Sequence, residues 1–154
     1  MDVDSEARDR RLQFVEHVGL HMEDSGLPRM AGRVLGWLLI SEPAVQSSAQ
    51  LVAALGASKG SISTNTRLLM RTGLIERVAR PGGRGAFFRI KPDAWSQILE
   101  SQIAKIRAFR EICDEGLAIT GGRPRLEEMR DFYLFMEEEY PMMLSHWREH
   151  RGAS

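Results

Sequence analysis

The sequence predicts a mainly helical fold that carries one small β-hairpin. Three observations lead there. Apolar residues recur every three or four positions along most of the chain, the spacing of one helical face. Between residues 74 and 90 that period gives way to two short runs rich in β-branched and aromatic residues. Immediately before those runs stand two short helical segments separated by a turn of very few residues, which forces them to cross steeply.

The first helix is expected from about Ser5 to Ser25. Leu12, Val15, Gly19 and Met22 share one stripe, with Phe14 and Val18 beside it, and Gly26 and Pro28 end it. A second helix runs from about Pro28 to Ser41. It is the most apolar, through Val34, Leu35, Trp37, Leu38 and Leu39, and Pro43 terminates it. Its Gly32 and Gly36 stand four residues apart and would let another backbone approach closely, which offsets the roughly 1 kcal/mol that a mid-helix glycine costs.

A third helix, about Ser48 to Leu55, buries Leu51, Val52 and Leu55. Gly56 suits the left-handed residue just past a helix end, and Ser58 suits the cap of the next helix, where a hydroxyl accepts an orphan backbone N–H. In that next helix Ile62, Thr66 and Leu69 form the packing face. Gly60, Thr64, Arg67 and Arg71 fall on the opposite face at 3.6 residues per turn. After Gly73 come two strands, Leu74–Val78 and Ala86–Ile90. The segment between them, Ala79-Arg80-Pro81-Gly82-Gly83-Arg84-Gly85, reads as a hairpin loop.

A long helix is expected from Pro92 to about Ile119, with Trp95, Leu99, Ile103, Ile106, Cys113 and Leu117 on its buried side. Gly121-Gly122-Arg123-Pro124 turns the chain. Leu126, Met129, Tyr133, Met136, Tyr140, Met143 and Trp147 then make a heptad-like stripe, widened by Phe132 and Phe135. Pro141 is expected to kink or break this last helix. Expected boundaries are a dimerisation helix over 1–26, a reading lobe over 27–91 and a helical dimerisation region over 92–154. The competing arrangement is a monomer whose long helices close as a hairpin on themselves.

Charge sharpens this picture. The 154 residues carry 21 basic and 21 acidic side chains, a formal net charge of zero. That balance hides a local excess. From Gly56 to Lys91 there are eight basic residues and one acid, Glu76, a local charge of plus seven. Residues 1–55 and 92–154 are net acidic. Positive charge confined to the two short helices and the hairpin is the electrostatic footprint of a nucleic-acid reader. The expected fold is therefore a winged helix-turn-helix with long terminal helices that pair two copies, so that two reading helices lie about one DNA turn, roughly 34–36 Å, apart.

Cys113 is the single cysteine, so no disulfide forms within one chain, as in a reducing cytoplasm. Arg110 and Glu111 lie nearby, but a buried inert thiol explains Cys113 better than a redox sensor. The acidic N-terminus lacks a signal-peptide core, and the run near Val34 to Ile40 is too short to span a bilayer. No Ser-His-Asp order, nucleotide loop or convergent carboxylate pair argues for an enzyme. Gly82-Gly83-Arg84-Gly85 lacks the context and the Lys-Ser/Thr ending of a phosphate loop.

Leu27-Pro28-Arg29-Met30-Ala31-Gly32-Arg33-Val34-Leu35-Gly36, then Ser58-Lys59-Gly60-Ser61-Ile62-Ser63, then Gly73-Leu74-Ile75-Glu76-Arg77-Val78 with Pro81-Gly82 resemble the GbsR branch of the MarR-like transcriptional regulators. The resemblance covers roughly Leu27 to Trp95. It implies a homodimeric regulator, expected to be a repressor, joined through its terminal helices. It further implies a small-molecule effector held between those helices and the DNA-binding lobe.

The site residues follow from the polar face. Ser58, Lys59, Gly60, Ser61, Ser63, Thr64, Arg67 and Arg71 are expected at DNA. Lys59, Ser61, Thr64 and Arg67 reach the major groove, and Ser63 and Arg71 reach phosphates. Arg80 and Arg84 reach phosphate or the minor groove from the loop; the competing reading is a solvated hairpin tip. Gly60 serves by lacking a side chain, against the plainer reading of a tolerated glycine. Trp37, Trp95, Phe109 and Tyr133 are candidates for an effector pocket, against core packing at helical spacing. His17/His21 and His146/His150 are two i, i+4 pairs that could share a metal, with Glu16, Glu23 and Glu149 as further donors; two histidines without a third ligand are more often ordinary surface residues. No cofactor is expected. The alternative function is a winged helix that holds a protein partner and reads no DNA.

Overall fold

The computed structural model describes residues 3–153. Its elements in order are α1 (Val3–Asp24), α2 (Arg29–Ile40), β1 (Gln46–Ser47), α3 (Ser48–Leu55), α4 (Lys59–Arg71), β2 (Ile75–Val78), β3 (Phe87–Ile90), α5 (Ala94–Thr120) and α6 (Pro124–Gly152). The chain divides into two compact units, Met1–Ala94 and Trp95–Ser154. α1 packs on α2 within the first unit.

Glycines allow that packing. A Cβ added to Gly32 would stand 2.7 Å from the Gly19 Cα and 2.8 Å from the Val18 carbonyl oxygen. At Gly36 it would stand 3.2 Å from the Val15 Cα. Two helix backbones thus touch along the Gly32/Gly36 stripe, and Val15, Ala31 and Val34 are fully buried beside it. Burial of each such aliphatic side chain contributes on the order of 1.5–3 kcal/mol, which outweighs the propensity cost of the glycines.

The helix-turn-helix is built by local chemistry. Ser47 and Gln50 form a reciprocal capping box at the start of α3. Gly56 ends α3 with φ +59°, and the Ser58 hydroxyl accepts the Ser61 N–H at 3.1 Å to start α4. Ile62, Thr66 and Leu69 are buried as expected, with the Thr66 hydroxyl donating to the Ile62 carbonyl at 2.7 Å. Asn65 is buried too, which its polarity concealed. Its Nδ2 donates to the Ser61 carbonyl at 2.8 Å.

The hairpin gains a third strand. The sheet order is β1-β3-β2, antiparallel throughout, with Gln46 opposite Phe88 and Arg77 opposite Phe88 on the other side. β1 has only two residues and no alternation to betray it. The Ser48 N–H donates to the Ala86 carbonyl at 2.9 Å, so the hairpin base is tied to the first turn of α3.

In the second unit α5 and α6 are joined through Gly121 and Gly122, both at positive φ. They run antiparallel. The Trp147 indole N–H donates to the Ser96 hydroxyl at 3.0 Å, Phe109 and Tyr133 rings lie 4.7 Å apart, and a Cβ on Gly116 would meet Leu126 at 2.8 Å. Glu137 of α6 accepts from Arg107 at 3.0 Å and also from Arg110. The Arg110 contact, with Arg107 and the Coulomb attraction of both cations behind it, holds the Glu137 carboxyl below the usual carboxylate range.

One expectation needs correction and two are narrowed. Of the kink or break expected at Pro141, the break does not occur: α6 continues to Gly152, since losing one N–H donor does not end a helix of 29 residues. Trp95 is 45% exposed and not on the buried side of α5. The α6 stripe is covered in part within one chain, with Leu126, Tyr133, Met136, Tyr140 and Trp147 half-buried. Met129 and Met143 are exposed, and Phe132 and Phe135 are each 56% exposed. Among the described residues no helix is long and apolar enough to cross a membrane.

Candidate nucleic-acid interface

α4 presents its polar face outward because its apolar residues are committed to the core. Lys59, Gly60, Ser63, Thr64, Arg67 and Arg71 are all exposed, and Ser61 is half-buried. At 100° per residue Arg67 lies near the middle of this arc, with Lys59 and Ser63 to one side and Thr64 and Arg71 to the other. The Arg67 Nε donates to the Ser63 carbonyl at 3.2 Å. That bond steadies the side chain and leaves its terminal nitrogens free to fork onto a phosphate or a guanine edge. Ser58 spends its hydroxyl on the helix cap, so its part is to set the start of α4. No atom lies within 4 Å of the place a Gly60 Cβ would take, leaving that backbone open.

The loop between β2 and β3 continues the surface. The Gly83 N–H donates to the Arg80 carbonyl at 3.0 Å, with Gly82 at φ +74°. Pro81 followed by a glycine at positive φ is the pattern of a type II turn. The tip is held down by Phe87. The Arg80 guanidinium lies over its ring at 5.5 Å, and a Gly83 Cβ would stand 2.7 Å from the ring edge. Arg80 and Arg84 are both exposed.

Between α3, α4 and the hairpin lies a concavity of about 520 Å³. Lys59, Arg67, Arg77 and Arg84 line it above a floor that includes Val52, Met70 and Phe88, and no carboxylate lines it. Cations from α4, β2 and the loop that follows it thus converge as one surface. Arg77 belongs to this set and was missed. Strand alternation gave no signal for it, because Arg77 shares a face of β2 with the buried Ile75, yet it is exposed beside the concavity. Arg89 differs, because it pairs with Glu76 across the hairpin at 2.7 Å. The one acid of the basic segment therefore neutralises an arginine away from the concavity.

The effector and metal candidates are not gathered in this way. Trp37 lines a cleft of about 620 Å³ in the first unit with Arg8, Arg11 and Gln50, its indole N–H on the Gln46 side chain at 3.1 Å. Phe109 and Tyr133 line a separate depression of the second unit with Phe132 and Tyr140, and Trp95 lines neither. His17 and His21 are exposed on α1, His146 and His150 on α6. Among the described residues no three His, Cys, Asp or Glu side chains form a group that could hold a metal ion. Cys113 is buried, as expected.

Comparison with known proteins agrees with this geometry. A model of the MarR family matches residues 25–84, and one described as MmpR5-like MarR family transcriptional regulators matches residues 93–150. These models name the MmpR5-like branch where the sequence motifs had suggested GbsR. The HTH-type transcriptional regulator MmpR5 of Mycobacterium tuberculosis is 40% identical over 146 residues, covering 92% of this chain and 88% of that protein. A crystal structure described as that of a transcriptional regulator superposes with a TM-score of 0.80 at 39% identity, over 91% of this chain and 99% of the other. Identity of that order, along nearly the whole length of both chains, establishes that the protein belongs to the MarR family of winged-helix, DNA-binding transcriptional regulators.

Proposed function

We propose that this regulator acts as a homodimer on a palindromic operator, placing one α4 in the major groove of each half-site and repressing transcription while bound. The observation that supports this most is the carboxylate-free concavity where Lys59, Arg67, Arg77 and Arg84 converge beside the exposed face of α4. Four fixed cations next to an open helix face suit phosphates that flank a groove, and hydroxyls and guanidinium groups suit base edges. Lys59, Ser61, Thr64 and Arg67 read or clamp the groove, Ser63 and Arg71 meet phosphates, and Arg84 reaches DNA from the wing. Arg80 joins it from above Phe87.

Dimerisation accounts for the second unit. Ile112, Ile119, Phe132, Leu134, Phe135, Met142 and Met143 are large apolar side chains exposed in a single chain. Apolar surface of this extent marks an interface, and a second copy of the same helices covers it symmetrically. A small-molecule effector fits the same scheme at the Trp37 cleft, whose volume of about 620 Å³ is in the range of ligand pockets. Cytoplasmic location follows from the role.

Selection of bound duplexes from a random library tests the proposal. The expected result is an inverted repeat with half-sites one helical turn apart, bound by two chains, with affinity falling steeply as salt rises. Recovery of no preferred sequence and weak, salt-insensitive binding would leave the protein-interaction reading in its place.

A further inference from the structure

Arg33 sits inside the Pro28–Gly36 motif, yet it faces no DNA. Its Nη2 donates to the Leu55 carbonyl at 3.0 Å, and its Nε lies 2.6 Å from Glu16 Oε1. The other Glu16 oxygen accepts from Arg29 at 2.8 Å. One guanidinium therefore touches α1, through Glu16, and the last residue of α3 at once. Its side chain is only 21% exposed.

The place it grips is the turn of the helix-turn-helix. Leu55 carries one of the orphan carbonyls that every helix end leaves. The left-handed cap does not serve it, because the Gly56 and Ala57 N–H groups both go to Val52. Arg33 takes it instead. Three residues later Ser58 caps α4, so the direction in which α4 leaves depends on where Leu55 is held. The stem of Arg33 is fixed as well. A Cβ on Gly19 would stand 2.9 Å from the Arg33 Cγ, so the glycine in α1 makes room for it.

We propose that Arg33 is a positioning residue for DNA reading: with Glu16 it ties α1 to the carbonyl end of α3 and so sets the turn from which α4 projects. This rests on the reading of α4 as the DNA-contacting helix. A planar fork is required, since lysine offers a point charge that cannot hold both partners in one plane.

The test compares the parent with Arg33→Met, Arg33→Lys and the milder Glu16→Gln, using the duplex recovered by selection and a mixed-sequence duplex over a salt series. Amide exchange is followed at Gly56, Ala57 and Ser58. Arg33→Met is expected to speed exchange at those amides and weaken binding to the selected duplex about tenfold, the size of one charged hydrogen bond. The salt slope should stay at the parent value, because no phosphate contact is lost. Arg33→Lys should fall between parent and Arg33→Met. Glu16→Gln should shift exchange in the same direction by less. Unchanged exchange in Arg33→Met overturns the tie, whatever the DNA result. A salt slope reduced by about one makes Arg33 a phosphate contact and overturns the positioning role. If the parent itself prefers no duplex, the DNA reading fails, while the exchange result still decides the tie.

Discussion

Two glycine-to-alanine substitutions should have opposite effects on stability, and the structure gives the reason for each. At Gly32 the new methyl would stand 2.7 Å from the Gly19 Cα and 2.8 Å from the Val18 carbonyl oxygen, where ordinary contact begins at 3.4 Å. The obstacle is backbone, which cannot turn aside as a side chain can, so α1 and α2 must part locally by about 0.7 Å. Overpacking of this kind costs about 1–3 kcal/mol. Against it stands a gain of about 1 kcal/mol from placing alanine within a helix. The clash wins, and the net loss of up to about 2 kcal/mol lowers the melting temperature by roughly 2–4 °C per kcal/mol in a chain of this length. At Gly60 no atom lies within 4 Å. There only the propensity gain operates, at most about 1 kcal/mol, and the melting temperature should rise slightly. DNA affinity should nonetheless fall if, as proposed, the α4 backbone meets the groove at Gly60. Thermal unfolding at fixed protein concentration, with a gel shift alongside, measures both; concentration is held constant because a dimer's stability depends on it. A more stable Gly32→Ala would refute the backbone contact of α1 and α2. Parent-like binding by Gly60→Ala would refute close backbone approach to DNA.

Other consequences are sharper in solution than in outline. Arg67→Ala and Arg84→Ala should weaken DNA binding and each reduce the salt slope by about one, with melting temperature unchanged; a double mutant that binds like the parent removes both from the interface. Phe87→Leu removes the ring beneath Arg80 and Gly83 and should loosen the wing tip, seen as faster tryptic cleavage after Arg84, since Pro81 protects the bond after Arg80. Equal cleavage would show that the ring does not hold the tip. Glu137 has a lowered pKa in the folded chain, with the Arg110 hydrogen bond as its first cause. Its contribution is therefore present above the ordinary carboxylate value of 4.5 and is lost as pH falls through the lower folded value. Acid unfolding of Glu137→Gln should differ from the parent at neutral pH and converge with it in strong acid; a difference that grows below that value would contradict the pairing. Zinc titrated into the protein should give no calorimetric signal, since each histidine pair lacks a converging third donor among the described residues; a stoichiometric heat would restore the metal reading.

Much of the first unit was legible because its signals are local. Gly56 and Ser58 each answer a need of one backbone position, and they mark the ends of α3 and α4 within a residue. The face of α4 followed from period alone, and its outward residues are the exposed ones. Gly32 and Gly36 were legible as a contact stripe, though not as a contact with Gly19. What escaped was non-local or too short. β1 is a strand only because β3 lies beside it. Arg77 joins the concavity only once the hairpin folds toward α4. The partner of Arg33 is the Leu55 carbonyl, 22 residues on, which no local pattern signals.

The second unit is informative in a different way. The stripe from Leu126 to Trp147, widened by Phe132 and Phe135, reads as apolar surface closed by its own hairpin or by a second copy, the second copy being preferred. Within one chain Met129, Phe132, Phe135 and Met143 are exposed, although α5 and α6 are joined by Glu137, Trp147 and the Phe109/Tyr133 pair. These links use long or polar side chains at the hairpin's inner seam and leave the outer apolar residues without cover. A second copy, as proposed, would bury them, and the pattern would then report an assembly larger than the chain. A net charge of zero misleads in the same way, since the acids lie outside the segment that gathers the cations. Both quantities become informative only when assigned to surfaces: apolar area to the face that meets a second copy, and charge to the face that meets DNA.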